Sequence, residues 1–127
     1  MTEKECKQIL REDILPVILG NSLTAHRLSL HLFIRYGLSS LVCAEHRGCL
    51  GALNPFAGFF PLTEGSSRLL CEQLEALAER YEGCQLLLIP SSPSERARLE
   101  ACAPSLESTY FLIDPEDLDT WLLPCAR

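Results

Sequence analysis

Three histidines and seven cysteines are the side chains best suited to do chemistry in this sequence of 127 residues. Cys43, His46 and Cys49 recur at intervals of three, and His26 or His31 could complete a set of four, thiolate and imidazole being ligands that zinc takes. Against a metal site, Cys43 falls in an apolar run that reads as a strand, where neighbouring side chains point to opposite faces, and the fourth ligand has no fixed position. One of these cysteines with His46 would also make a nucleophile and a base, but a thiol among apolar residues stays protonated and inert. The reading is therefore that the chain holds no metal and no catalytic residue of its own. No two cysteines stand as Cys-x-x-Cys, and Cys43, Cys71, Cys84 and Cys102 lie in or beside apolar segments. Reduced thiols in a cytoplasmic protein fit this better than a disulfide frame.

The polar turns offer different chemistry. The apolar run Ile14–Leu19 stops at Gly20, and Asn21-Ser22-Leu23-Thr24 leads into a helical pattern. Backbone amides at a helix start, reinforced by the helix dipole, suit a phosphate or a carboxylate. The same residues also serve as a tight turn at Gly20 with Asn21 or Ser22 as the N-cap. A dinucleotide fingerprint requires Gly-x-Gly-x-x-Gly, which Asn21, Ser22 and Ala25 break. Glu45, where a ribose-binding acid would sit, has no such glycines to accompany it. Ser91-Ser92-Pro93-Ser94 closes a later apolar run as Gly20 closes the first. In a parallel sheet both strand ends share one edge, so Gly20, Asn21, Ser22 and Thr24 could line a substrate-binding crevice with Ser91, Ser92 and Ser94. Ser92 is equally explained as a cap.

The elements that would carry these turns follow from periodicity. Thr2 and Glu5 have the form of a capping box, so residues 1–12 are expected to hold a leading helix. A strand is expected at 14–19, with Pro16 suiting its beginning or a sheet edge. A helix at 22–36 ends at Gly37, and Leu38–Ala44 reads as the second strand. Residues 46–63, punctuated by Gly48, Gly51, Pro55, Gly58 and Pro61, read as an irregular loop. Its Phe56, Phe59 and Phe60 would plug a sheet edge or meet a neighbouring domain. A helix from Ser66 or Ser67 to Tyr81 follows, with Glu72, Glu75, Glu79 and Glu82 on its solvated face. Cys84–Pro90 forms a strand apolar enough for burial on both faces. Ser92-Pro93-Ser94-Glu95 opens a helix running to about Cys102, before Pro104. Tyr110–Ile113 is a strand, and a short helix carries Leu118, Trp121 and Leu122, with Trp121 as a core or interface anchor. Alternation of this kind predicts one domain over 1–127: a three-layer, Rossmann-like α/β fold, its mostly parallel sheet of about four strands covered by helices on both faces.

The bulk numbers narrow the partners. Apolar residues make up 47% and charged residues 22%, as in an ordinary globular domain. A net charge of −6 without a basic stripe speaks against nucleic acid and anionic membranes. No apolar run approaches the ~20 residues that span a bilayer, and the N-terminus lacks an apolar signal core.

The run from Pro16 through Gly20, and the helix ending Phe33-Ile34-Arg35-Tyr36-Gly37-Leu38-Ser39-Ser40, resembles the start of ATP-grasp carboxylate–amine ligases, closest to the D-aspartate ligase-like branch. The similarity continues through Gln85-Leu86-Leu87-Leu88-Ile89 and ends at Tyr110-Phe111-Leu112-Ile113-Asp114, Glu116-Asp117-Leu118 and Trp121, so it covers about 14–123. Two departures stand out: Asn21-Ser22 replaces an acidic first turn, and Ser91-Ser92 lacks a glycine and an acid. The resemblance implies a pre-ATP-grasp domain cut from a longer ligase that joins a carboxylate to an amine. ATP and magnesium would be held by downstream ATP-grasp domains of the same polypeptide, with no cofactor in this chain. This domain would pack on them and frame the substrate cleft. The alternatives are a stand-alone Rossmann-like sensor for a nucleotide or metabolite, and an interaction module, homodimeric or otherwise, docking through Phe56–Phe60 and Trp121.

Overall fold

The protein is described by a computed structural model over residues 14–46, 48 and 54–122. The expected leading helix at 1–12 and the middle of the expected 46–63 loop lie outside these residues. The elements run β1 (Ile14–Leu19), α1 (Leu23–Tyr36), β2 (Ser40–Ala44), β3 (Ala57–Pro61), α2 (Ser67–Arg80), β4 (Gln85–Pro90), α3 (Pro93–Glu100), α4 (Ala103–Leu106), β5 (Tyr110–Leu112), a 3-10 turn (Pro115–Asp117) and α5 (Leu118–Leu122).

Local sequence accounts for the helix ends. The Ser22 hydroxyl accepts the Ala25 amide and starts α1, and Gly37, at φ 71°, ends it. There the Gly37 and Leu38 amides return to the Phe33 and Leu32 carbonyls, so a residue free to be left-handed is needed. Ser66 caps α2 and Ser92 caps α3 in the same way, the latter followed by Pro93 in the first turn.

Among the described residues five strands form one sheet, all parallel, in the order β3-β2-β1-β4-β5. The sheet is thus a Rossmann-like α/β sheet with one strand more than expected. The extra strand is β3, inside the segment expected to be irregular. Its run Ala57-Gly58-Phe59-Phe60-Pro61 has too few apolar residues and too much punctuation to read as a strand. Pairing with β2 along Ser40–Ala44 nevertheless fixes it. An outer position also tolerates Pro61, which has no amide to donate. Conversely, β1 lies at the centre of the sheet despite Pro16. The ladder to β2 starts only at Val17, one residue after the proline.

Alternate residues of the central strands feed two cores. Val17, Leu19, Leu86 and Leu88 pack with Leu70, Leu74 and Leu77 of α2, Leu99 of α3 and Leu106 of α4. Ile14, Ile18, Leu87 and Ile89 pack with Ala25, Leu32 and Tyr36 of α1 and Leu118 and Leu122 of α5. Covering both faces explains the unbroken apolar run of β4. Phe60 joins the first core and Phe59 the second, as plugs on the outer strand, and Phe56 stacks on Phe33 at 4.8 Å. Glu72, Glu75, Glu79 and Glu82 are all exposed.

The cysteine reading needs correction. Cys71 of α2 and Cys102, just after α3, form a disulfide with Cα atoms 5.7 Å apart, a normal span for the bond. They face each other because α2 and α3 lie on the same side of the sheet, which a separation of 31 residues conceals. Among the described residues no helix is long and apolar enough to cross a membrane.

Candidate functional site at the carboxyl edge of the sheet

The chain leaves β1 towards β2 and later returns to β4 on the other side, so the ends of β1 and β4 flank the point where the strand order reverses. Open α/β sheets place ligands there. Gly20, directly after β1, and Ser91, directly after β4, meet at this point. Gly20 has φ +104°, and the Ser91 hydroxyl occupies the space a Cβ would need. That hydroxyl is buried and donates to the Leu19 carbonyl at 2.7 Å, while the Gly20 amide donates to Cys43 at 2.8 Å. Ser91 therefore ties β4 to β1, and its hydroxyl faces inward to the chain itself.

Above Gly20 the place of a ligand is taken by ion pairs. The Glu95 side chain lies over Gly20, and Arg98 reaches Glu95 at 3.0 Å and Glu45 at 2.8 Å. Partial burial works against the Arg98 charge, but the two carboxylates outweigh it and hold its pKa above the ordinary value. Glu45 thus holds an arginine of α3.

The other expected site residues surround this plug. The Ser22 hydroxyl caps α1, and Asn21 donates its side-chain amide to the His46 carbonyl. The exposed His46 ring lies 3.1 Å from Glu64. Thr24 is exposed on the first turn of α1. Ser92 caps the Glu95 amide, and its hydroxyl is 3.0 Å from that of Ser94. Between the ends of β4 and β5 lies a depression of about 250 Å³ lined by Pro90, Ser91, Ser92, Arg96, Asp114 and Glu116. Arg96 spans it, paired with Asp114 and, at 3.3 Å, with Glu100. All seven residues singled out in the sequence stand along one edge, and five of them already serve the fold: Gly20, Asn21, Ser22, Ser91 and Ser92.

Two polar clusters on α1 escaped the sequence reading. In the first, the Asn54 side-chain nitrogen lies 2.8 Å from His26 Nδ1 and 2.8 Å from Ser29 Oγ. His26 and Ser29 are one turn apart on the inner face of α1, and only that spacing hints at the pair. Nothing local predicts Asn54. In the second, at the far end of α1, the Tyr36 hydroxyl donates to Asp119, and His31 Nε2 approaches the same oxygen at 2.7 Å. The Tyr36 hydroxyl and then the His31 ring hold Asp119 below its usual range, and burial raises the Tyr36 pKa.

Burial pushes the Cys43 thiol up to about 12, so it supplies no thiolate near neutral pH. Among the described residues no three His, Cys, Asp or Glu side chains gather as metal ligands. The geometry defines a Rossmann-like domain whose strand-end edge is rich in small hydrogen-bonding groups and tied together by its own ion pairs. No family model matches the chain, and no curated protein and no solved structure matches it significantly.

Proposed function

We propose that the chain is the substrate-framing, pre-ATP-grasp domain of an ATP-grasp carboxylate–amine ligase and is not catalytic by itself. The observation that carries this reading is the parallel strand order β3-β2-β1-β4-β5, which puts the Gly20–Thr24 and Ser91–Ser94 turns on one edge where α/β domains meet ligands. The saturation of that edge by Glu45, Arg98 and Glu95 supports a wall that presents shape and backbone amides. ATP and magnesium belong, on this reading, to following ATP-grasp domains in a cytoplasmic enzyme. Phe111, Leu112 and Trp121, exposed together at the β5 border, are apolar surface that such packing would cover.

The test is phosphate release from ATP and magnesium by this chain in the presence of amino acids. No substrate-dependent release is expected, and release above background would overturn the reading. The depression beside Arg96 favours a second reading, a stand-alone sensor of a nucleotide or metabolite. Thermal denaturation with nucleotides and amino acids separates the two. A sensor gains about 2.7 kcal/mol at a hundredfold excess over Kd, whereas the framing domain alone gains little from ATP.

A further inference from the structure

Two arginines of α3 form ion pairs of different character at the sheet edge. Arg98, Glu95 and Glu45 are all largely covered, and together they fill the space above Gly20. Arg96 pairs with Asp114 and Glu100 but keeps half of its side chain exposed. Water competes for the charges of such a pair, so separating it costs little. The Arg98 pairs belong to the fold, whereas the Arg96 pair stands in a cavity.

The depression of about 250 Å³ lies between the turns that leave β4 and β5. Both turns place a proline at the start of a helical segment, Pro93 after Ser92 and Pro115 after Asp114. With Pro90 at the end of β4 these rings make a rigid, apolar wall that offers no amide. A second depression, of about 80 Å³, is lined by Arg96, Asp114, Leu112 and Ile113. Arg96 and Asp114 border both spaces, so their pair partitions one groove. Glu116 lines the larger space, and among the described residues no cation pairs with it.

This mixture of charges selects a ligand. An anion that drew Arg96 away from Asp114 would leave that carboxylate bare, with Glu116 beside it. A cation on Asp114 would sit against the Arg96 guanidinium, which the exposed Glu100 at 3.3 Å screens only weakly. A molecule carrying both charges close together separates the pair and leaves neither unmatched. Glu100 and Glu116 make the surroundings negative, which disfavours a further acidic group. The larger space is also below the roughly 300–1,000 Å³ of pockets for drug-sized ligands, too small for a nucleotide.

We propose that Arg96 and Asp114 bind the carboxylate and ammonium of a free α-amino acid, whose neutral or basic side chain lies against the prolines. This rests on the sensor reading and narrows it to a small zwitterion.

The experiment is nitrogen–proton NMR on the unaltered chain, titrated separately with L-alanine, L-lysine, L-glutamate, sodium acetate, methylammonium and ATP. Alanine and lysine should shift the Arg96 Nε–H and Glu116 amide signals saturably, with glutamate the weakest of the three amino acids. Acetate and methylammonium each match half of the pair and should bind about 10- to 100-fold more weakly than alanine, the range for losing a hydrogen bond to a charged group. Asp114→Asn should weaken alanine over the same range without weakening acetate; the Asp114 side chain makes no capping bond, so the turn does not depend on it. Signals indifferent to alanine and lysine overturn the proposal, as do acetate, methylammonium or glutamate binding as tightly as alanine. A response to ATP alone overturns it but leaves the sensor reading standing, and a response to none of the six removes both. The titration of the unaltered chain decides even if Asp114→Asn does not fold.

Discussion

At the scale of single residues, the strand-end edge is held by close approaches that a few atoms control. Gly20 has a left-handed backbone and abuts the Ser91 hydroxyl, so Gly20→Ala meets both a conformational cost of about 1–2 kcal/mol and a buried serine. Ser91→Ala alone should cost about 1 kcal/mol, because the Leu19 carbonyl keeps the Ser91 amide as a partner. In a double-mutant cycle read by urea unfolding, Gly20→Ala should be less damaging in the Ser91→Ala background. Strict additivity would mean the two do not touch. The titrating groups make a second prediction. Burial lowers the His26 pKa below 6.5, so its neutral ring stabilises the fold fully above that value and progressively less as pH falls through the folded pKa. Asp119, held below 3.8 by Tyr36 and His31, adds stability above that value that disappears as pH falls through its own folded pKa. The urea midpoint should therefore drop in two stages on acidification, and His26→Gln should remove the first. A first stage that survives in His26→Gln belongs to another group.

Among the elements, α3 is tied to its surroundings at its start, its middle and its end. Ser92 and Pro93 start it, Glu95 and Arg98 plug the edge, and the disulfide at Cys102 ties its far end to α2. A bridge spanning 31 residues restricts the unfolded chain by about 3–4 kcal/mol in the chain-entropy account. Reductant, or Cys71→Ser, should lower the melting temperature accordingly; an unchanged melting temperature in reductant would show the thiols to be free in solution. Helix signals were legible locally: the Ser22 cap and Gly37 end of α1, and the serine–proline start of α3, lie where the sequence puts them. Elements whose stability comes from neighbours were not. β3 is a strand because β2 offers it a ladder, and α4 forms across Pro104, where the sequence predicts a stop, because proline is tolerated in a first helical turn.

For the whole molecule, the two cores share the backbone of β1 and β4, so neither helical layer can leave without exposing the sheet that supports the other. Unfolding should be a single transition. The chain has one tryptophan, Trp121, stacked against Phe111 at 5.9 Å on the α5 border. Its fluorescence should therefore change together with far-ultraviolet circular dichroism, which reports all the helices. Leu87→Ala, fully buried under α1 and α5, should cost about 2–5 kcal/mol and lower both signals together. Separate midpoints for the two probes would mean that the layers unfold independently.

Sequence alone determined the alternation of strands and helices, the parallel Rossmann-like sheet, the caps, and the placing of two small polar turns at the ends of β1 and β4. These depend on periodicity, punctuation and chirality, which act over a few neighbouring residues. Only the tertiary structure decided that Pro16 lies in a central strand, that Cys71 meets Cys102, that Arg98 bridges Glu45 and Glu95, and that Asn54 meets His26 and Ser29. Each joins residues far apart along the chain, and their meeting depends on sheet order and helix side, which no local pattern encodes.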